Sequence, residues 1–100
     1  MLTFDDFTNK IISDLNKRFS EAILEGNYII VKSGPASMSI PISSMYREYQ
    51  EVMDYGKTLK IYVDIIYNIL NQYKFKIDYN NVYPLLKNRG CFRYLKMSVS

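Results

Sequence analysis

Two tight-turn signals between residues 21 and 42 constrain the fold of this chain more than any other feature. The segment reads EAILEGNYIIVKSGPASMSIPI, and its Ile- and Val-rich runs are interrupted at Gly26-Asn27 and at Gly34-Pro35. Glycine beside asparagine or proline is typical of turns, and β-branched residues favour strands. A bulge at Gly26 within one long strand is the alternative interpretation. The pattern predicts a three-stranded meander, with strands at residues 21–25, 28–33 and 37–42.

The third of these strands contains a proline, which limits its position in a sheet. Met38, Ile40 and Ile42 share one face of this strand. Pro41 lies between two of them and has no N–H to donate to a neighbouring strand. We therefore expect an edge strand, or a strand in which the Pro41 nitrogen points outward.

Helical periodicity before and after the meander predicts three helices. Apolar residues recur at helical spacing over residues 4–19, and Thr3 before them can cap the first helix. Ser43-Ser44 offers a cap for a short second helix, for which Gly56 is the predicted C-terminal cap. A third, apolar-rich helix is expected at residues 59–73.

Helix 59–73 is apolar around more of its circumference than a single packed surface requires. At about 100° per residue, its apolar side chains span an arc of about 200°, whereas one core contact needs about 100°. The helix is therefore expected either to pack on two sides within the chain or to contact a second chain. In the second case the candidate interaction surface consists of Tyr62, Ile66, Ile69 and Tyr73.

The C-terminal part of the chain predicts two more strands. Residues 74–79 read KFKIDY and alternate apolar with charged side chains, which is typical of a half-buried strand. Residues 91–100 are expected to form the last strand. The predicted fold is one α+β domain over residues 1–100, a small two-layer sandwich of order α-β-β-β-α-α-β-β. Its mostly antiparallel sheet is backed by helices 4–19 and 59–73.

The composition excludes most catalytic chemistry. The chain has no histidine and a single cysteine, Cys91, so it lacks the usual general base and cannot form an internal disulfide. We therefore predict a non-enzyme with no catalytic, metal-binding or cofactor-binding residues, located in the cytoplasm. The N-terminal residues MLTFDDFTNK include two acids and no long apolar run, so no signal peptide is expected. No run approaches the roughly 18 apolar residues of a transmembrane helix, so no membrane contact is expected.

Positive charge is concentrated towards the C-terminus. Residues 1–54 contain five Lys/Arg and eight Asp/Glu, a net −3, and residues 55–100 contain eight and two, a net +6. The segment 87–96 interleaves aromatic residues with four candidate anion-binding cations, Lys87, Arg89, Arg93 and Lys96. Such a surface can bind nucleic acid or another polyanion. A solvated turn followed by a strand is the simpler interpretation, so nucleic acid is not the expected partner.

Two short motifs are similar to a known family. The pattern Ile40-x-Ile42-x-x-Met45-Tyr46-x-x-Tyr49, before a long apolar helix, resembles the N-terminal region of the YtpQ-like proteins of low-GC Gram-positive bacteria. The segment Tyr83-Pro84-Leu85-Leu86-Lys87 is similar to a second part of those proteins. The resemblance covers roughly residues 1–90 and implies an α+β module. Members of that family continue into a further domain and have no established activity, so the resemblance implies no function.

These observations favour binding over catalysis. The chain contains ten tyrosines, and tyrosine supplies a large contact area at a low cost in conformational entropy. We expect a non-enzymatic protein-interaction module whose partner is another protein or a second copy of the chain. The alternatives are nucleic-acid or anionic-surface binding through residues 87–96, and a phage-type inhibitor that docks on a host protein. Abundant Ile, Asn, Lys and Tyr, whose codons are AT-rich, indicate a low-GC bacterium or its phage as the source.

Overall fold

The order of helices and strands follows the pattern of turns and periods in the sequence. The structure, a computed structural model, describes residues 1–72 and 76–78. Its elements are α1 (Phe4–Asn16), β1 (Glu21–Glu25), β2 (Tyr28–Ser33), β3 (Ala36–Pro41), α2 (Ile42–Val52), α3 (Tyr55–Gln72) and β4 (Lys76–Asp78). The α+β class and the order α-β-β-β-α-α are confirmed. The strand predicted at 91–100 lies outside the described residues.

The meander forms where its turn signals predict it. β1 pairs antiparallel with β2, and β2 with β3, through two-residue turns at Gly26-Asn27 and Gly34-Pro35. Gly26 and Gly34 have φ angles of 62° and 60°, a left-handed conformation that glycine adopts at little cost. Gly26 therefore begins a turn and is not a bulge within one long strand.

The proline of β3 lies in an inner strand, so the first of the two expectations, an edge strand, is wrong. The sheet has the order β1-β2-β3-β4, and β4 pairs parallel with β3. Pro41 is tolerated because it is the last residue of β3, and β4 pairs only with Ser37, Met38 and Ser39. β4 (Lys76–Asp78) lies within the segment 74–79 predicted as a strand, and the rest of that segment lies outside the described residues.

Helix α1 is shorter than the predicted 4–19. Thr3 caps it as expected, and its Oγ1 accepts a hydrogen bond from the Asp6 N–H at 3.1 Å. The helix ends at Asn16, because the N–H groups of Arg18 and Phe19 both donate to the Leu15 carbonyl and close a tighter turn. Phe19 still packs against the core from outside the helix.

Helix α2 begins directly where β3 ends, before the Ser43-Ser44 pair predicted to cap it. Pro41 is the N-terminal cap and provides no side-chain hydrogen bond. The Ile42 N–H donates instead to the Asn27 carbonyl at 2.9 Å. The turn between β1 and β2 therefore supplies the acceptor that a serine cap would otherwise provide.

Helix α2 also ends before the Gly56 predicted as its C-terminal cap. Met53 takes that position with a φ of 60°, and its N–H donates to the Tyr49 carbonyl at 2.7 Å. Asp54 then caps α3, since its Oδ1 accepts from the Lys57 N–H at 3.1 Å. Gly56 therefore lies in the first turn of α3.

One hydrophobic core joins the three helices to a single face of the sheet. Buried strand residues alternate with more exposed ones along β2 and β3, so only the inner face contributes to this core. Its largest fully buried side chains are Tyr62, Phe7, Ile11, Leu15, Ile29, Met38, Ile40, Met45, Ile66 and Ile69. The opposite, outer face of the sheet is left without a helix among the described residues.

Candidate functional site

Three of the four α3 residues expected to form an interaction surface lie inside the chain. Tyr62, Ile66 and Ile69 are at most 1% exposed and belong to the core. Tyr73 lies outside the described residues. α3 packs against both α2 and β3, so its broad apolar arc is covered from two sides by the same chain. This corrects the predicted surface, because side chains buried in one chain have no area to offer a second.

The solvent-facing strip of α3 is mostly polar. Its exposed residues include Lys57, Lys60, Asp64 and Asn71. Ile61 and Tyr67 are also exposed, but helical spacing places them on opposite flanks of this strip. Scattered apolar side chains are ordinary on protein surfaces. α3 therefore offers no continuous apolar patch.

The outer face of the sheet, in contrast, has an apolar centre. The strand register places Ile23 beside Ile30, and Ile30 beside Ser39. In the next row of the same face, Tyr28 lies beside Pro41. We name the four apolar side chains Ile23, Tyr28, Ile30 and Pro41 the outer patch.

The outer patch is accessible in the structure. Ile23 and Tyr28 are each 37% exposed, and Ile30 and Pro41 are half-buried. None of the four belongs to the buried core. A sheet covered on one side normally carries polar side chains on its solvated face. An isoleucine pair at the centre of that face therefore departs from the usual pattern of a solvated sheet face.

Charged residues border the outer patch at both ends of β1. Lys32 Nζ lies 3.4 Å from Glu21 Oε2, and about half of each side chain is exposed. Glu25 lies at the other end, beside Tyr28 in the strand register. An exposed ion pair contributes at most about 1 kcal/mol to stability. An apolar centre with a charged rim is the usual composition of a protein–protein contact surface.

A cluster of aromatic side chains joins the helices on the other side of the molecule. Phe7 stacks on Tyr49 with ring centroids 5.1 Å apart, and Tyr55 meets Phe7 edge-on at 5.9 Å. The Tyr46 hydroxyl donates to the Leu2 carbonyl at 2.9 Å, and the Leu2 N–H donates to the Tyr49 hydroxyl at 2.7 Å. These tyrosines therefore hold the N-terminal segment against α2.

Tyr55 also ties α3 to charged residues of α1. Its hydroxyl donates to Asp14 Oδ2 at 2.6 Å, and Lys10 Nζ lies 4.8 Å from the centroid of its ring. Burial of the phenol, together with the hydrogen bond to the Asp14 carboxylate, raises the pKa of Tyr55 well above its usual range. The phenol therefore stays protonated at neutral pH and donates its hydrogen bond to Asp14, which ties α3 to α1.

The candidate anion-binding residues Lys87, Arg89, Arg93 and Lys96 all lie outside the described residues. Among residues 1–72 and 76–78, no three His, Cys, Asp or Glu side chains form a group that could hold a metal ion. No helix in that part of the chain is long and apolar enough to cross a membrane.

The sequence contained a signal for the outer patch that the alternation of single residues does not capture. Ile23-Leu24 and Ile29-Ile30 are consecutive apolar pairs, and the register places them opposite each other in one hairpin. A hairpin that faces water on one side has apolar residues at every second position. Consecutive apolar pairs at facing positions therefore indicate that both faces of the hairpin are apolar.

The comparisons with known proteins bear on neither family nor fold. The chain matches no protein-family model, no curated protein and no solved structure. The resemblance to the YtpQ-like proteins therefore stays a prediction from the two short motifs.

Proposed function

We propose that this protein is a non-catalytic module that binds another protein through the outer patch. The observation that carries the proposal is the Ile23–Ile30 pair at the centre of a solvent-facing sheet face. Burying such side chains against a partner gains free energy in proportion to the apolar area removed from water. The lack of histidine in the chain supports a binding role over a catalytic one.

The size of the outer face favours a different protein over a second copy of the chain. Three strands about 4.8 Å apart, each with five residues rising about 3.4 Å, give a flat area of about 240 Å². A stable specific interface takes about 800 Å² from each partner. Two flat faces stacked on each other would contact over too little area, whereas a concave partner also reaches the rim. Self-association through this face is the alternative outcome.

The charges on the rim indicate what the partner surface carries. Lys32 and Glu21 lie in one ion pair at one end of the patch, whereas Glu25 borders the other end. A lysine or arginine of the partner can pair with Glu25 while an apolar side chain covers Ile23 and Ile30. The proposed partner surface is therefore concave, apolar at its centre and flanked by a cation. An inhibitor of phage type, docking on a host protein, is one form that such a contact takes.

Charge placed at the centre of the patch tests this proposal. The tagged wild-type chain and its Ile30→Lys and Ile61→Lys variants are expressed in the organism that encodes the chain, and co-purifying proteins are identified. Each candidate is then purified and titrated against all three chains by calorimetry. We expect one partner to bind the wild-type chain with 1:1 stoichiometry and to bind Ile30→Lys about a hundredfold more weakly. Ile61 is the matched control, because it is an exposed isoleucine on α3.

The outcomes of this experiment separate the site from the function. A partner that binds all three chains equally would place the contact away from the outer patch. If no purified protein binds the wild-type chain, the binding module itself is contradicted. A dimer of the purified chain that dissociates on Ile30→Lys replacement would identify a second copy as the occupant.

A second candidate function follows from the distribution of charge. Residues 1–72 contain seven Lys/Arg and nine Asp/Glu, a net −2, whereas residues 73–100 contain six and one, a net +5. A segment with this excess of cations attracts nucleic acid and other anionic surfaces. The contacts would come from Lys87, Arg89, Arg93 and Lys96, and binding would weaken steeply as the salt concentration rises.

A further inference from the structure

Strand β1 forms one edge of the sheet, and its outward peptide groups are a potential site of pairing with another chain. These groups belong to Ala22 and Leu24, because the Ala22 N–H points away from β2 and peptide direction alternates along a strand. The Leu24 side chain is also 48% exposed at this edge. An exposed apolar edge of this kind can pair with a strand of another chain. Whether it does so depends on what occupies its peptide groups.

The side chain of Asn16 pairs with this edge as a residue of a neighbouring strand does. The Ala22 N–H donates to Asn16 Oδ1 at 2.9 Å, and Asn16 Nδ2 donates to the Ala22 carbonyl at 2.7 Å. The two bonds reproduce the reciprocal pair that two residues exchange across an antiparallel ladder. Both peptide groups of Ala22 that face outward are therefore occupied.

Asn16 is held in this position by the helix as well as by the strand. It is the last residue of α1, and its Nδ2 also donates to the Ile12 carbonyl at 3.0 Å. An asparagine amide has two N–H donors and a carbonyl oxygen that accepts, and these three bonds use both donors and the oxygen. The orientation of the amide is thus fixed before any other chain approaches the edge.

We propose that Asn16 is an edge cap that prevents β1 from pairing with β1 of a second copy. Antiparallel pairing of two β1 strands about a two-fold axis at Ile23 would place Ala22 of each copy opposite Leu24 of the other. These are the two residues whose peptide groups face outward, so the strand is complementary to itself. Because every hydrogen bond in this register involves Ala22 of one copy, and Asn16 occupies both outward peptide groups of Ala22, the pairing loses all of these bonds. The proposal is independent of the function assigned to the outer patch.

The same register shows a second obstacle to pairing, which determines the design of the test. Glu21 of one copy would lie opposite Glu25 of the other, and like charges at facing positions destabilise a strand pair. Replacement of Glu25 by lysine changes both of these contacts from repulsive to attractive. The Glu25→Lys variant therefore isolates the contribution of Asn16.

The experiment compares Glu25→Lys with the double variant Asn16→Ala/Glu25→Lys by sedimentation equilibrium. We expect Glu25→Lys to remain a monomer and the double variant to dimerise, with amide exchange at Ala22 and Leu24 slowed in the dimer. A folded double variant that stays monomeric up to millimolar concentration would overturn the proposal.

If the double variant does not fold, amide exchange of the wild-type chain tests whether Asn16 caps the edge of β1. The Ala22 amide is expected to exchange about tenfold more slowly than the Leu24 amide. The Ala22 N–H is hydrogen-bonded to Asn16, whereas the Leu24 N–H faces outward and is not covered by Asn16. Equal exchange at the two positions would show that the edge is not capped, and would overturn the proposal.

Discussion

The two faces of the sheet carry the same kind of side chain in different surroundings. On the inner face Ile29 and Ile40 are fully buried in the core, whereas on the outer face Ile23 is well exposed and Ile30 half-buried. Ile29 and Ile30 are consecutive residues of β2, so they share a strand and differ only in the face that they occupy. The helices, which pack on one face only, therefore decide which isoleucines stabilise the fold and which remain for a partner.

The largest expected effect is the difference in stability between the alanine variants of Ile29 and Ile30. Ile29→Ala is expected to lower the free energy of unfolding by about 2–5 kcal/mol, because it removes contacts within a packed core and leaves a cavity. Ile30→Ala should cost less than about 1 kcal/mol, since its side chain has no part in the core. Urea denaturation followed by circular dichroism measures both. Equal losses would mean that the outer face is covered in the isolated chain.

A smaller effect is expected at the turn that sets the β2–β3 register. Gly34 has a φ of 60°, and a Cβ added there would meet nothing within 4 Å, so Gly34→Ala carries only the conformational cost of about 1–2 kcal/mol. The control is Gly56→Ala in the first turn of α3, where alanine should be neutral or stabilise by up to about 1 kcal/mol. A one-residue slip of register would exchange the inner and outer faces. Unchanged stability of Gly34→Ala would contradict the left-handed turn.

The strands were predictable because two local signals agree. Turn residues at Gly26 and Gly34 set the lengths of the strands, and alternation from Met38 to Ile40 identifies the inner face of β3. The junction between α2 and α3 could not be predicted in the same way. Glycine is the residue type that most often ends a helix, so Gly56 was expected to cap α2. Met53, a residue that rarely adopts positive φ, took the capping position instead.

Whether the apolar arc of α3 is buried within the chain could not be predicted from its helical wheel. The wheel shows how wide the apolar arc is, but the neighbours that cover it come from α2 and β3, distant in sequence. Tyr62, Ile66 and Ile69 thus satisfied the pattern of an interface and of a core equally well. The outer patch was missed because the Ile- and Val-rich runs at 21–25 and 28–33 were interpreted only as strands, without an assignment of their two faces.

The contacts on the helical side of the molecule should respond to alkaline pH. The pKa of Tyr55 is raised in the folded chain above the value of about 10 expected in the unfolded chain. Folding is then stabilised below about pH 10 and loses this contribution as the pH rises further, because the unfolded chain releases the proton first. Tyr55→Phe should be about 1 kcal/mol less stable at neutral pH, through loss of the bond to Asp14.

Urea denaturation between pH 7 and pH 11 tests the role of Tyr55. The stability of the wild-type chain is expected to approach that of Tyr55→Phe as the pH rises above about 10. Tyr67→Phe, at an exposed tyrosine of the same helix, controls for the loss of one phenol. If the difference in free energy of unfolding between the wild-type chain and Tyr55→Phe stays constant over this range, folding does not raise the pKa of Tyr55.

The smallest expected effect concerns the basic segment. Labelled single-stranded and duplex DNA should bind the chain no more tightly than the micromolar background at physiological salt. Replacement of Arg89 and Arg93 by alanine should therefore leave the fluorescence anisotropy unchanged. Nanomolar binding that falls steeply with salt and disappears in this variant would move the function from the outer patch to residues 87–96.

The solvent accessibility of individual isoleucine methyl groups tests the central claim most directly. In a ¹³C-methyl spectrum of the isolated chain, a soluble paramagnetic agent should strongly broaden the δ-methyl signals of Ile23 and Ile30. The signals of Ile29 and Ile40, buried under the helices, should remain sharp under the same conditions. If the Ile23 and Ile30 signals are as protected as those of the core, the chain itself covers its outer face, and the proposed binding surface does not exist.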